Sequence, residues 1–280
     1  MTHGTLGSAP DQQSAILRLL DDDDIPTVAL VQQKLSESHS LEALSELRAA
    51  AQGLAVQHLD EVIEELAQEA ANQRFSEICT TFGEDGDLEE ATWALASVFY
   101  PNEDFARYRE MLDGWGREVA GRCSSALGKS ERVEILSDFL GREMRLRGND
   151  GDYYAVENSI LPRVMDSRLG IPISLTLIYI LVGRRAGVQV DGVGLPGHFL
   201  ARHEDVFFDP FHRGRRVGLE ECAALMEKQN LVLTPQHLAA TTSRQVLVRM
   251  LTNLYFILEQ SDPPMAAQVD AWNDLLRQNG

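Results

Sequence analysis

Cysteine is scarce in this sequence. Cys79, Cys123 and Cys222 are the three among 280 residues, far apart and with no CxxC pair. That spacing argues against a disulfide scaffold and a zinc knuckle, and makes buried, reduced thiols the expectation. Long apolar runs are also missing, since none approaches the roughly 20 residues a membrane helix needs. The opening MTHGTLGSAPDQQ has neither the basic start nor the apolar stretch of a secretory signal. A cytoplasmic location without a membrane partner is therefore expected. Positive charge is in deficit too: 25 Lys and Arg stand against 43 Asp and Glu, a formal charge of −18. Such a field repels phosphate backbones, so no nucleic-acid partner is expected.

What remains is the composition of a globular protein, 44% hydrophobic and 24% charged, long enough for one large domain or two modest ones. Two local basic clusters, Arg142/Arg145/Arg147 and Arg213/Arg215/Arg216, read as solvated surface paired with the surplus carboxylates. The acidic run Asp21–Asp24 precedes Ile25-Pro26, which suits a helix start, where negative charge and an early proline are both favoured. It lacks the alternating ligands and central glycine of a calcium loop.

Residues 1–13 are expected to be disordered. From Ser14 to about Glu90 apolar residues recur at helical spacing, with Leu17, Leu20, Val28, Val31 and Leu35 as examples. Short paired helices of this kind resemble HEAT-type hairpins, without a clean internal repeat. Helices continue past Pro101, and SERVEILSDFLGREMRLRGND reads as one more, stopped by Gly148 and Asn149. IPISLTLIYILVGRRAG then predicts a buried helix with Pro172 in its first turn and Gly187 at its end. VQVDGVGL, HFLARH and VFFDPF read as three successive strands, and the chain returns to helix from about Leu219.

The last two strands are joined around Glu204-Asp205. A two-residue loop would pair His203 with Val206 and Leu200 with Asp209, placing His198 diagonal to Asp209 on one face. A one-residue change in the loop would separate them. A metal site drawing on His198, His203, Asp209 and His212 is not expected, because His203 faces the other side of its strand. GVGLPGH is glycine-rich but lacks the Lys-Ser/Thr and helix of a phosphate loop. No cofactor is expected.

An apolar helix opening after GIP, a strand, GHF and then DPF resembles the transglutaminase-like, papain-related superfamily. More narrowly, NDGDYYAVENSILPRVMDSRLGIPISLTLIYILVGRRAGVQVDGVGLPGHFLAR and FFDPFHRG are similar to its SirB-type branch, densely over about residues 145–217 and more loosely from Asp23 onward. The resemblance implies an α+β fold: a helical region over residues 14–90, a transglutaminase-like domain over 91–235 with its core at 145–217, and a helical C-terminal cap over 236–280.

Active members of that superfamily carry a Cys-His-Asp triad. The resemblance places His198 and Asp209 on the histidine and aspartate. The cysteine's place, counted back from Gly187 without gaps, falls on Pro172, and Ser174 stands two residues later. Two readings of Ser174 follow. It is a serine nucleophile with His198 as its base and Asp209 orienting the ring, or an N-cap or first-turn residue bonding to backbone amides. A hydrogen-bonding distance from its Oγ to the His198 ring would favour the first. Asn158 is either polar support for an oxyanion or a helix cap, and Tyr153 and Tyr154 either line the cleft or pack structurally.

The function expected is a non-catalytic protein-interaction or regulatory module with protein partners. The alternative is a hydrolase or acyltransferase acting on peptide or amide bonds through Ser174, His198 and Asp209. A weaker third class is small-molecule binding in the old cleft.

Overall fold

The computed structural model describes residues 10–126 and 128–278. Contact density divides the chain into two compact units: Met1–Arg74 with Ser97–Glu103, and Phe75–Ala96 with Asp104–Gly280. The partition cuts through two helices.

The first unit contains α1 (Pro10–Leu20), α2 (Ile25–Ser38), α3 (Leu41–Ala50) and most of α4 (Leu54–Thr81). Leu20, Val28, Leu35, Leu44, Leu47 and Leu59 form its core, with Ile16 and Leu17 packed against them. α1 begins at Pro10. Residues 10–13 are thus helical rather than disordered, and the rest of that expectation lies outside the described residues. Asp24 is the N-cap residue of α2, with Pro26 in the first turn. Its carboxylate accepts from the Thr27 hydroxyl, and the helix begins directly after the acidic run. Asp21 Oδ1 accepts from the Leu54 N–H at 2.8 Å.

The second unit is built around one helix and one sheet. The sequence gives α5 (Leu88–Phe99, shared with the first unit), α6 (Ala106–Cys123), α7 (Lys129–Ser137), a π-helical turn (Asp138–Glu143), β1 (Arg147–Gly148), α8 (Leu161–Ser167) and β2 (Leu169–Gly170). Then follow α9 (Pro172–Ala186), β3 (Asp191–Leu195), β4 (His198–His203), β5 (Val206–Asp209), β6 (Arg215–Val217), α10 (Leu219–Glu227), α11 (Ser243–Ser261) and α12 (Pro263–Gln278). The helix expected to run to Gly148 ends early. Arg145 adopts a left-handed φ of 63°, and Arg147–Gly148 pairs in parallel with Leu169–Gly170.

β3 to β6 form an antiparallel sheet in sequence order, so the protein is mostly helical with a small sheet, an α+β arrangement. α9 packs against both α6 and β4. Eleven of its fifteen residues are buried, as its unbroken apolar sequence requires. Gly187, at φ 70°, ends it in the left-handed conformation that glycine takes without strain. Alternation within the strands divides the sheet's two faces. Val193, Leu195, Leu200 and Val217 cluster with Cys222 and Met226 of α10, whereas Phe208 meets Tyr179 of α9, with ring centroids 5.8 Å apart. Cys79, Cys123 and Cys222 are buried and unpaired.

Candidate active-site cleft

Two tight turns fix the functional side chains. Leu195 pairs with His198 across Pro196-Gly197. Gly197 stands at φ 76°, so proline and glycine occupy the positions a type II turn prescribes. His198 is thereby set at the first position of β4. The β4–β5 hairpin closes through Glu204, at φ 53°, and pairs His203 with Val206 and Ala201 with Phe208. This is the register of a two-residue loop, and it leaves His198 and Asp209 on the α10 face.

Asp209 then does two jobs. Its Oδ1 accepts from the backbone N–H groups of Phe211 (3.0 Å) and His212 (3.4 Å), which caps the short 3₁₀ turn Pro210–His212. Its Oδ2 meets His198 Nε2 at 2.9 Å and His212 Nδ1 at 2.7 Å. Burial of this carboxyl pushes its pKa up. The hydrogen bonds and charges of His198 and His212 outweigh that effect and hold it below the usual carboxylate range. Asp209 is therefore an ionised, buried acceptor, and His198 Nε2 carries the proton it donates. Phe211 stands edge-on to the His198 ring at 6.2 Å.

The pair lines a cleft of about 470 Å³ together with Tyr153, Pro172, His212 and Arg215. Pro172, the residue reached by counting back to the missing cysteine, is in the wall. Ser174 is not. It is buried at 1% exposure, and its Oγ bonds to the Asn158 carbonyl at 2.6 Å and the Ile171 carbonyl at 3.1 Å, while accepting from the Ile171 N–H at 3.1 Å. Among the described residues these are its partners, and His198 is not one of them. Two acceptors compete for its single O–H, and its place is in the first turn of α9.

Asn158 is not the cap of the next helix, and its side chain bonds within the preceding loop. Its two amide hydrogens go to the carbonyls of Asp152 (2.6 Å) and Tyr153 (3.1 Å), and its Oδ1 accepts from Asn149 at 3.0 Å. It ties down the loop over 149–158, and Ile160 is the N-cap residue of α8. Tyr153 lines the cleft, 6.2 Å from Phe211, whereas Tyr154 is 73% exposed. His203 sits on the α9 face of the sheet with Nδ1 2.6 Å from the Gln189 carbonyl. Three arginines of the basic clusters form ion pairs: Arg142 with Asp138 (3.3 Å), Arg215 with Glu221 (2.5 Å) and Arg216 with Glu134 (2.7 Å). Sequence reasoning missed His212 as a partner of Asp209. The signal was present in Asp-Pro-Phe-His, because an aspartate that caps a turn lies beside the residue three places on.

A family model of the transglutaminase-like superfamily matches residues 53–252. The chain belongs to that superfamily. A UPF0162 protein of Xylella fastidiosa strain Temecula1 is 30% identical over 201 residues, 67% of this chain and 70% of its own length. The UPF0162 protein of Pseudomonas aeruginosa is 29% identical over 192 residues, covering 66% and 69%. F-box only protein 21 of Mus musculus is 29% identical over 138 residues, 45% of this chain but 22% of that protein. No solved structure matches. Among the described residues no helix is long and apolar enough to cross a membrane.

Proposed function

We propose that this transglutaminase-like chain, a member of the SirB-type branch, is a cytoplasmic protein-recognition or regulatory module that has given up covalent catalysis. The observation that carries this reading is the occupancy of the nucleophile's position. Pro172 lines the cleft beside His198 and Asp209 and offers no hydroxyl or thiol. The nearest hydroxyl in sequence, Ser174, is committed to backbone groups. A serine hydroxyl depends wholly on a base hydrogen-bonded to it, and among the described residues His198 is not a hydrogen-bond partner of Ser174. The likeness to F-box only protein 21 supports an interaction role, since it finds a related region within a much longer protein.

The hydrolase reading keeps one observation in its favour, the intact His198–Asp209 bond, and one experiment separates the two. The purified protein is treated with a fluorophosphonate probe and tested on amide hydrolysis and transamidation. No labelling and no turnover are expected. Labelling at Ser174 that disappears in His198→Ala would overturn the proposal.

A further inference from the structure

We infer that His198, Asp209 and His212 form a binding site for one divalent first-row transition-metal ion of zinc type, open to the cleft. Two imidazoles and one carboxylate are a donor set suited to such ions. The three side chains can each offer one ligand atom with all three atoms within 4.8 Å of one another. His203, considered with them in the sequence, is absent from the set because it lies on the other face of the sheet.

The arrangement is preorganised at its centre. The two backbone N–H bonds to Asp209 Oδ1 fix the carboxylate plane, so that Oδ2 points at both rings. Outer bonds of this kind orient the ligands of metal sites. The Oδ2 distances of 2.9 and 2.7 Å are close to the ~3.3 Å separation of tetrahedral ligands each about 2.05 Å from a metal. Widening them takes only tenths of an ångström. The larger adjustment is between the two imidazole nitrogens, which must close by up to about 1.5 Å to reach that same separation. It falls to His212, whose side chain is 52% exposed, while His198 and Asp209 stay nearly enclosed at 13% and 3%. The cleft supplies room for water at the fourth position.

Coordination replaces hydrogen bonds, and the protons can be followed. A neutral histidine with its proton on the coordinating nitrogen passes it through solvent to its other ring nitrogen, whereas a doubly protonated ring releases one. Once Nε2 of His198 is bound, its Nδ1 carries the proton and has no lone pair left to act as a base. The metal-bound state therefore excludes the triad role of His198. The inference stands on different atoms from the missing nucleophile, and the two can fail separately.

The test is titration of chelator-stripped full-length protein with Zn²⁺ by calorimetry, with Co²⁺ as a spectroscopic substitute. One equivalent is expected, together with visible bands of a four-coordinate nitrogen–oxygen site and a raised Tm. His212→Asn and His198→Ala should each weaken binding at least tenfold. The half-exposed position of His212 lets the first variant fold, as circular dichroism would verify. Absence of saturable binding in the wild type, or binding in His212→Asn as tight as in the wild type, would overturn the inference.

Discussion

On the proposed reading Pro172 stands where a nucleophile would, in a cleft wall that it shares with His198. The start of α9 directs its partial positive charge toward the cleft, and His198 lines the same wall. Pro172→Cys should therefore restore a reactive thiol. Iodoacetamide near neutral pH is expected to alkylate the introduced thiol roughly tenfold faster than an ordinary cysteine, because both neighbours favour the thiolate. The native thiols stay silent as an internal control, Cys79 being pushed by burial up to about 12. Adding His198→Ala should slow the reaction, and equal rates in the two backgrounds would show that His198 does not face position 172. Two residues on, Ser174→Ala removes the tie between the α9 start and the Asn158 carbonyl. A loss of about 1–2 kcal/mol in urea unfolding is expected, the usual cost of a lost cap or buried hydrogen bond. Asp209 supplies the pH dependence. Its folded pKa lies below the unfolded one, so the stability it contributes is complete above the unfolded value of about 3.9 and is lost as pH falls through the folded value. The Tm of the wild type should fall more steeply with acid below that point than the Tm of Asp209→Asn. Parallel acid limbs would contradict the shift.

Between residue and molecule, the informative element is the π-helical turn Asp138–Glu143, where α7 gives way to the short strand β1. Gly141 sits in it with no room for a side chain: an added Cβ would stand 2.3 Å from the Arg213 carbonyl oxygen, a backbone atom in the turn that follows His212. Gly141→Ala forces that backbone apart, and a loss of about 1–3 kcal/mol, typical of overpacking, is expected by thermal melting. The same element marks where the sequence stopped being readable. Buried α9 and strands β3 to β5 were legible because unbroken apolar content and β-branched runs announce them. Their hairpin register followed from a two-residue loop, which is why the His198–Asp209 pair could be located. β6 was not legible: Arg215-Arg216-Val217 has the short, charged look of a protected edge and little strand signal. Nor was the break at Arg145, since a tertiary pairing of β1 with β2 decides it. At the site, two readings of Ser174 stayed open because spacing within a first turn does not say whether a hydroxyl faces the cleft or the backbone. His212 was considered only within a four-residue metal set, and its direct bond to Asp209 follows from the capped turn Pro210–His212.

At the scale of the whole molecule, charge is the dominant fact. The surplus of 18 negative charges repels itself over distances longer than any ion pair spans, and this opposes compaction. Ion pairs act in the other direction. Arg185 bridges Glu89 at 2.7 Å and Asp113 at 2.6 Å, with the Arg185 and Glu89 side chains 20% and 13% exposed. Most others, such as Arg48–Asp60 at 48% and 51%, are surface contacts worth at most about 1 kcal/mol each. Added salt screens both effects, but unequally. Raising ionic strength from about 0.01 to 0.15 M shortens the screening length from about 30 to 8 Å. That removes most of the long-range repulsion, while the short Arg185 contacts lie inside the screening length and lose little. Tm at pH 7.5 should therefore rise with NaCl. The rise should vanish near pH 4.7, the sequence pI, where the net charge and its repulsion disappear. Scanning calorimetry across a salt series at the two pH values reads both effects. A Tm that falls with salt at pH 7.5 would mean that the ion pairs, not the net charge, set the electrostatic balance of the fold.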